Sequence, residues 1–126
     1  MPDAVFHAEV SMIGADALSF IKDKMLILFN EKIAETNPDI ANVCILIKNQ
    51  ELLSPVCPGN LLILGGDKYR VTAVGSVANK NLESLGHCVI QFDGKEIAEL
   101  PGNIHVEDLG MPEVKESMKI LCMPNN

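Results

Sequence analysis

Tryptophan is absent from this 126-residue chain, tyrosine occurs once, and four phenylalanines bring the aromatic share to only 4%. The core must therefore be aliphatic, and a hydrophobic content of 48% supplies enough Val, Ile, Leu, Met and Ala to build one. Positive charge is also scarce: ten Lys and Arg stand against seventeen Asp and Glu, for a net charge of −7. Nucleic-acid binding draws its affinity from cations that neutralise phosphates, so nucleic acid is excluded as an expected partner. Long apolar runs are missing as well. The longest, Met25–Phe29 and Val43–Ile47, fall far short of the ~20 residues that cross a bilayer, and no basic stretch precedes an apolar one at the N-terminus. These features predict a cytoplasmic protein without direct membrane insertion.

The four cysteines, Cys44, Cys57, Cys88 and Cys122, form no CxxC pair and no cluster with histidine at metal-ligand spacing. They read as isolated reduced thiols, with Cys57 in a turn between Pro55 and Pro58 but with no cationic neighbour to activate it. The phosphate-loop, dinucleotide, nucleophile-elbow and zincin motifs are absent, and Gly65-Gly66 lacks the third glycine and following helix that a phosphate loop needs. Neither a metal nor a cofactor is expected.

What is present is period-two alternation. Phe6, Ala8, Val10 and Met12 alternate with His7, Glu9 and Ser11, placing the first set on a core face and the second toward water. Met25–Phe29 predicts another strand, and Val43–Ile47 a third, ending in a hairpin at the polar tetrad Lys48–Glu51. Leu61–Leu64 and the alternating Tyr69, Val71 and Ala73 form a hairpin around Gly65-Gly66-Asp67. Cys88, Ile90 and Phe92 alternate with His87, Val89 and Gln91. Ile104–Val106 and Met118–Met123 complete the strands.

Helical signals are fewer. Ala15–Lys22 predicts a short helix, while Glu31–Asn42, with Pro38, reads as an excursion outside the core. The clearest helix has Ala78, Leu82 and Leu85 on one face, Ser76 as its N-cap and Gly86 as its left-handed terminus. Short strands at near-regular spacing predict a mainly β fold, a small antiparallel β-barrel with one or two short helices, in a single domain over residues 1–126.

Of the side chains left for chemistry, the three histidines stand out, because imidazole titrates near neutrality and accepts a phosphoryl group covalently. His7 lies on the polar face of the first strand. His105, between Ile104 and Val106, is expected at an exposed strand position on the side shared with Glu107. His87 follows Gly86, where unpaired helix carbonyls could orient its ring or simply be capped by it.

The segment Tyr69-Arg70-Val71-Thr72-Ala73-Val74-Gly75-Ser76-Val77-Ala78, continued by Asn81-Leu82, Leu85-Gly86-His87 and Phe92-Asp93-Gly94, resembles the glucitol/sorbitol-specific enzyme IIA family of the sugar phosphotransferase system. Weaker similarity runs from Ile13-Gly14-Ala15 and Met25-Leu26-Ile27 through Glu51-Leu52 and Pro58-Gly59 to Pro101-Gly102 and His105-Val106. The resemblance implies a cytoplasmic phosphocarrier with a β-barrel fold. It would take a phosphoryl group from the carrier protein HPr and pass it to the IIB unit of a IIB/IIC permease, with no cofactor. The family's acceptor histidine falls four residues before the Glu-Leu pair, where this chain has Ile47, and a histidine found in some members before the Pro-Gly turn is here Cys57.

Two functions follow from that departure. In one the chain remains a carrier, with His87 or His105, both matching histidines of the family pattern, as acceptor. In the other it is a non-catalytic, IIA-like regulatory or partner-binding protein. A binding module unrelated to sugar uptake is the third reading, since fold alone does not fix function.

Overall fold

The alternating stretches become eight strands in the computed structural model, which describes residues 3–125. In chain order they are β1 (Phe6–Ile13), β2 (Met25–Asn30), β3 (Ile45–Leu52), β4 (Leu61–Leu64), β5 (Asp67–Val74), β6 (Cys88–Gln91), β7 (Asn103–Val106) and β8 (Lys119–Met123). Between them lie a 3-10 helix (Ala17–Asp23) and the α-helices α1 (Glu31–Ala34), α2 (Pro38–Val43) and α3 (Ala78–Leu85). The strands close into a barrel in the order β1-β3-β2-β6-β7-β5-β4-β8. Closure leaves no unpaired edge for another chain to extend.

The barrel is mainly antiparallel, as expected, but β2/β3 and β6/β7 pair in parallel. Parallel neighbours cannot be joined by a tight turn, because the chain must travel back along the barrel before it re-enters the sheet. The return from β2 to β3 is the Glu31–Asn42 excursion, and it carries α1 and α2. Asn30 caps α1 by accepting from the N–H groups of Lys32 (2.9 Å) and Ile33 (3.1 Å), and Asn37 with Pro38 starts α2. The return from β6 to β7, residues 92–102, has no helix and crosses the outside of the barrel wall.

Inward side chains follow the alternation closely. Cys88, Ile90 and Phe92 are buried, as are Tyr69, Val71 and Ala73. Tyr69 meets Phe92 edge to face at 4.9 Å, a geometry worth about 0.5–1.5 kcal/mol beyond area burial. Its hydroxyl donates to the Gly110 carbonyl at 2.9 Å. A second, smaller core lies outside the barrel wall, where Phe29 and Leu46 pack with Ala34 and Cys44 under the β2–β3 crossover.

Three local expectations are corrected. Met12 is 54% exposed rather than core-facing, because the β1/β3 register shifts between Val10 and Met12 and reverses the side-chain phase. The tetrad Lys48–Glu51 is not a hairpin turn. It continues β3, with Glu9 opposite Lys48 and His7 opposite Glu51, and the extra residue is taken up by a bulge at Asn49, whose φ is 56°. Ser76 does not cap α3. Val77 occupies the N-cap without a side-chain bond, and its N–H donates to the Pro101 carbonyl at 3.0 Å.

Candidate functional site

Ile47 has zero exposure and packs in the barrel interior with Ile45, while Leu46 between them points into the outer core. The alternation of β3 therefore sends the side chain at this position away from solvent. A group transferred between two proteins needs an exposed atom, and Ile47 offers neither the atom nor the exposure.

His87 sits two residues beyond the end of α3. Gly86 takes a left-handed conformation (φ 60°), its N–H bonds Leu82 at 3.0 Å, and the N–H of His87 reaches back to the Asn81 carbonyl at 3.2 Å. These are the backbone bonds of a glycine-terminated helix, so the main chain, not the imidazole, caps α3. The ring turns to the outer face of β2. Its Nδ1 lies 3.1 Å from the Leu28 carbonyl oxygen, and its plane is tilted 41° to the Phe29 ring at 5.0 Å. A carbonyl only accepts, so Nδ1 carries a proton, and in the neutral ring the lone pair is on Nε2. Nε2 forms no hydrogen bond among the described residues, and His87 is half-buried.

Asn30 and Gln50 complete this corner. An added Cβ at Gly86 would stand 3.2 Å from Asn30 Cβ and 3.2 Å from the Gln50 carboxamide carbon. The Asn30 amide donates to Gln50 Oε1 at 2.7 Å. Sequence reasoning missed both residues. Asn30 had a readable signal, an Asn directly ahead of Glu31 in the first turn of a helix, whereas Gln50 is recognisable only through the fold.

His105 is the reverse of its expectation. It has zero exposure instead of an exposed strand position. The alternation was right, since Ile104 and Val106 point inward, but the β6–β7 crossover covers the outer face on which His105 lies. His105 Nδ1 is 2.8 Å from Asp93 Oδ1, and Nε2 accepts the N–H of Glu99 at 3.2 Å. Both ring nitrogens are committed, which fixes a neutral imidazole protonated on Nδ1. Asp93 also accepts the Lys95 N–H at 3.1 Å, and Thr72 donates to the Lys95 carbonyl at 2.6 Å, so this cluster fastens the crossover to the barrel.

Asp93, Glu99 and His105 are the one group of three potential metal ligands among the described residues, with donor atoms within 4.8 Å of one another. Their pairing argues against a metal site. His105 Nε2 already accepts a backbone N–H, and the Lys95 ammonium sits 2.6 Å from Glu99 Oε1.

Burial pushes the Asp93 carboxyl up, but hydrogen bonds from the His105 ring and the Lys95 N–H outweigh it, leaving Asp93 below its ordinary 3.8. A depressed folded value means the stabilisation is complete above 3.8 and is lost as pH falls through the lower value. Stability measured by urea unfolding should therefore drop below about pH 4, and Asp93→Asn should flatten that drop. An unchanged acid slope in Asp93→Asn would contradict the assignment.

His87 and His105 do not meet. His105 pairs with Gln91 on β6, four residues beyond His87, which is about 13 Å along a strand at about 3.3 Å per residue. His7 lies on the outer face as expected, 3.0 Å from Glu51. Cys57 is exposed, whereas Cys44, Cys88 and Cys122 are buried. Burial raises all three buried thiols, Cys44 to about 11 and Cys122 to about 12. A thiol–disulfide reagent at neutral pH should modify one cysteine in the native protein, Cys57, and all four only after denaturation. Rapid native modification of a second thiol would contradict this packing.

Among the described residues no helix is long and apolar enough to cross a membrane. The family model for the PTS system glucitol/sorbitol-specific IIA component matches residues 5–121. Proteins of Escherichia coli (strain K12) and Shigella flexneri, each described as a PTS system glucitol/sorbitol-specific EIIA component, are 40% identical to this chain over 102 residues, 81% of this chain and 80% of theirs. The crystal structure of a PTS system IIA component from Enterococcus faecalis V583 matches with a TM-score of 0.73 and 25% identity, covering 90% of this chain and 96% of that one. The match removes the reading of a module unrelated to sugar uptake. With its barrel, its near full-length family match and these relatives, the chain belongs to the glucitol/sorbitol-specific IIA component family of the sugar phosphotransferase system.

Proposed function

We propose that this protein is a phosphoryl carrier whose acceptor is Nε2 of His87, taking the group from HPr and passing it to a IIB unit. One contact carries the reading: Nδ1 of His87 is held at 3.1 Å by the Leu28 carbonyl, which leaves Nε2 of the neutral ring as the atom with a lone pair to offer. In the transfer, Nε2 attacks the phosphorus of the donor phosphohistidine in line. The donor P–N bond breaks as the new one forms, and the donor leaves as neutral imidazole. Nδ1–H keeps its bond to Leu28 throughout, so the ring does not reorient between receiving the group and giving it up. Transfer through a loose transition state depends on such placement more than on covalent assistance.

His105 has a structural role in this account. Both its nitrogens are engaged and it has no exposure. The non-catalytic reading also has one observation in its favour, the zero exposure of Ile47 at the family's acceptor position.

Incubation with phosphoenolpyruvate, enzyme I and HPr separates the two functions. The carrier reading predicts a mass gain of one acid-labile phosphoryl group, abolished in His87→Ala and retained in His105→Asn. No gain in the presence of phosphorylated HPr would establish the partner-binding reading instead.

A further inference from the structure

We propose that the side-chain amide of Gln50, oriented by Asn30, donates to the phosphoryl oxygens of phosphorylated His87; this rests on the carrier reading. The orientation follows from a chain of hydrogen bonds. Asn30 Oδ1 accepts the N–H groups of Lys32 and Ile33 at 2.9 and 3.1 Å, so that atom is the oxygen and the other is the amide nitrogen. Asn30 Nδ2 then donates at 2.7 Å, which makes the contacted atom of Gln50 its oxygen. The Gln50 NH2 group points away from Asn30 with both hydrogens uncommitted among the described residues. The two backbone donors of α1 leave one solution for both amides.

The location follows from Gly86. The Gln50 carboxamide lies against this residue, 3.2 Å from the place a Cβ would fill, and the next residue is His87. Asn30, on the same corner, has its oxygen held by two backbone N–H groups and one amide hydrogen given to Gln50, whereas both amide hydrogens of Gln50 are uncommitted among the described residues. A neutral donor suits a group that must be released again. It stabilises the developing charge on the phosphoryl oxygens without fixing the anion as a lysine would. Asn30 is a positioning residue, and it ties the Gln50 amide to the N-terminus of α1.

The test uses two substitutions with opposite meanings. Gln50→Glu keeps the oxygen that Asn30 holds but replaces the donor with a charged acceptor, whereas Gln50→Ala removes both. Phosphorylation of His87 is followed by mass spectrometry with phosphorylated HPr and, separately, with phosphoramidate, which needs no protein partner. The expected result is a fall in rate of about tenfold or more in Gln50→Ala, a larger fall in Gln50→Glu, and a Gln50→Glu unfolding midpoint at the wild-type value. A purely structural role would reverse the order, sparing Gln50→Glu. Wild-type rates or that reversed order, with His87 phosphorylated in the parent protein, would overturn this inference alone. A parent protein that takes no phosphoryl group on His87 from either donor would overturn it together with the carrier reading.

Discussion

Replacing His105 with alanine should destabilise the protein by about 2–4 kcal/mol, from an unpaired carboxylate, an unsatisfied N–H and the space the ring leaves. The ring has zero exposure, Asp93 next to it is only 19% exposed, and the Glu99 N–H points at Nε2. Loss of the imidazole deprives the β6–β7 crossover of its central anchor. The two amide substitutions divide the effect. Asn can present a donor where Nδ1 stood, so His105→Asn should keep the Asp93 bond and lose only the Glu99 contact. Gln can present an acceptor near the place of Nε2 and should do the reverse. Urea unfolding with an unchanged m-value measures each loss. His105→Ala at wild-type stability would show that the crossover is held elsewhere.

The second large effect is expected at Gly75, between β5 and α3. Gly75 is buried, and its N–H donates to the Asn103 carbonyl at 2.7 Å. A Cβ there would overlap the Pro101 carbonyl oxygen and stand 2.5 Å from its carbon and 2.6 Å from the Leu100 carbonyl oxygen. These are backbone atoms, so no rotamer relieves the contact. Gly75→Ala must push the Pro101 turn away from the start of α3, breaking the Val77 N–H bond to Pro101. The expected cost is about 3 kcal/mol or more, at the upper end of single substitutions. Gly66→Ala is the control, since a Cβ there meets nothing within 4 Å. It should fall within about 0.5 kcal/mol of the parent, and a Gly75→Ala loss no larger than that would refute the close approach.

The barrel was legible because its inward face obeys simple alternation. Cys88, Ile90 and Phe92 could be assigned from spacing alone, and so could the Gly65-Gly66 hairpin, in which Leu64 pairs with Asp67. What local pattern cannot reveal is which strands become neighbours. The parallel pairs β2/β3 and β6/β7 force two crossovers over the outer wall, and both misled a reading based on alternation. One turned Glu31–Asn42 into α1 and α2. The other buried His105 on a face that would otherwise meet water. Two bulges caused two further errors: one in β1 reverses the phase at Met12, and one at Asn49 lets the polar tetrad Lys48–Glu51 stay within a strand.

Of the proposed site, His87 was singled out by residue type, but its geometry was not legible. His87 stood out as an imidazole after a helix-ending glycine. That signal gave the wrong reason for its placement, since the cap is made by backbone N–H groups and the ring bonds to Leu28 on another strand. Nothing in spacing links residue 87 to residues 28, 30 and 50, which are brought together only by the pairing of β2 with both β3 and β6.

The central claim is that Nε2 of His87 holds the phosphoryl group. Nitrogen-15 and phosphorus-31 NMR of protein labelled in its histidine rings, phosphorylated through enzyme I and HPr, reads this directly. The account predicts one phosphoryl group bonded to Nε2 of His87, with the Nδ1 proton still present. A group on Nδ1, on His7 or on His105, or none at all while HPr in the same sample is phosphorylated, would contradict it.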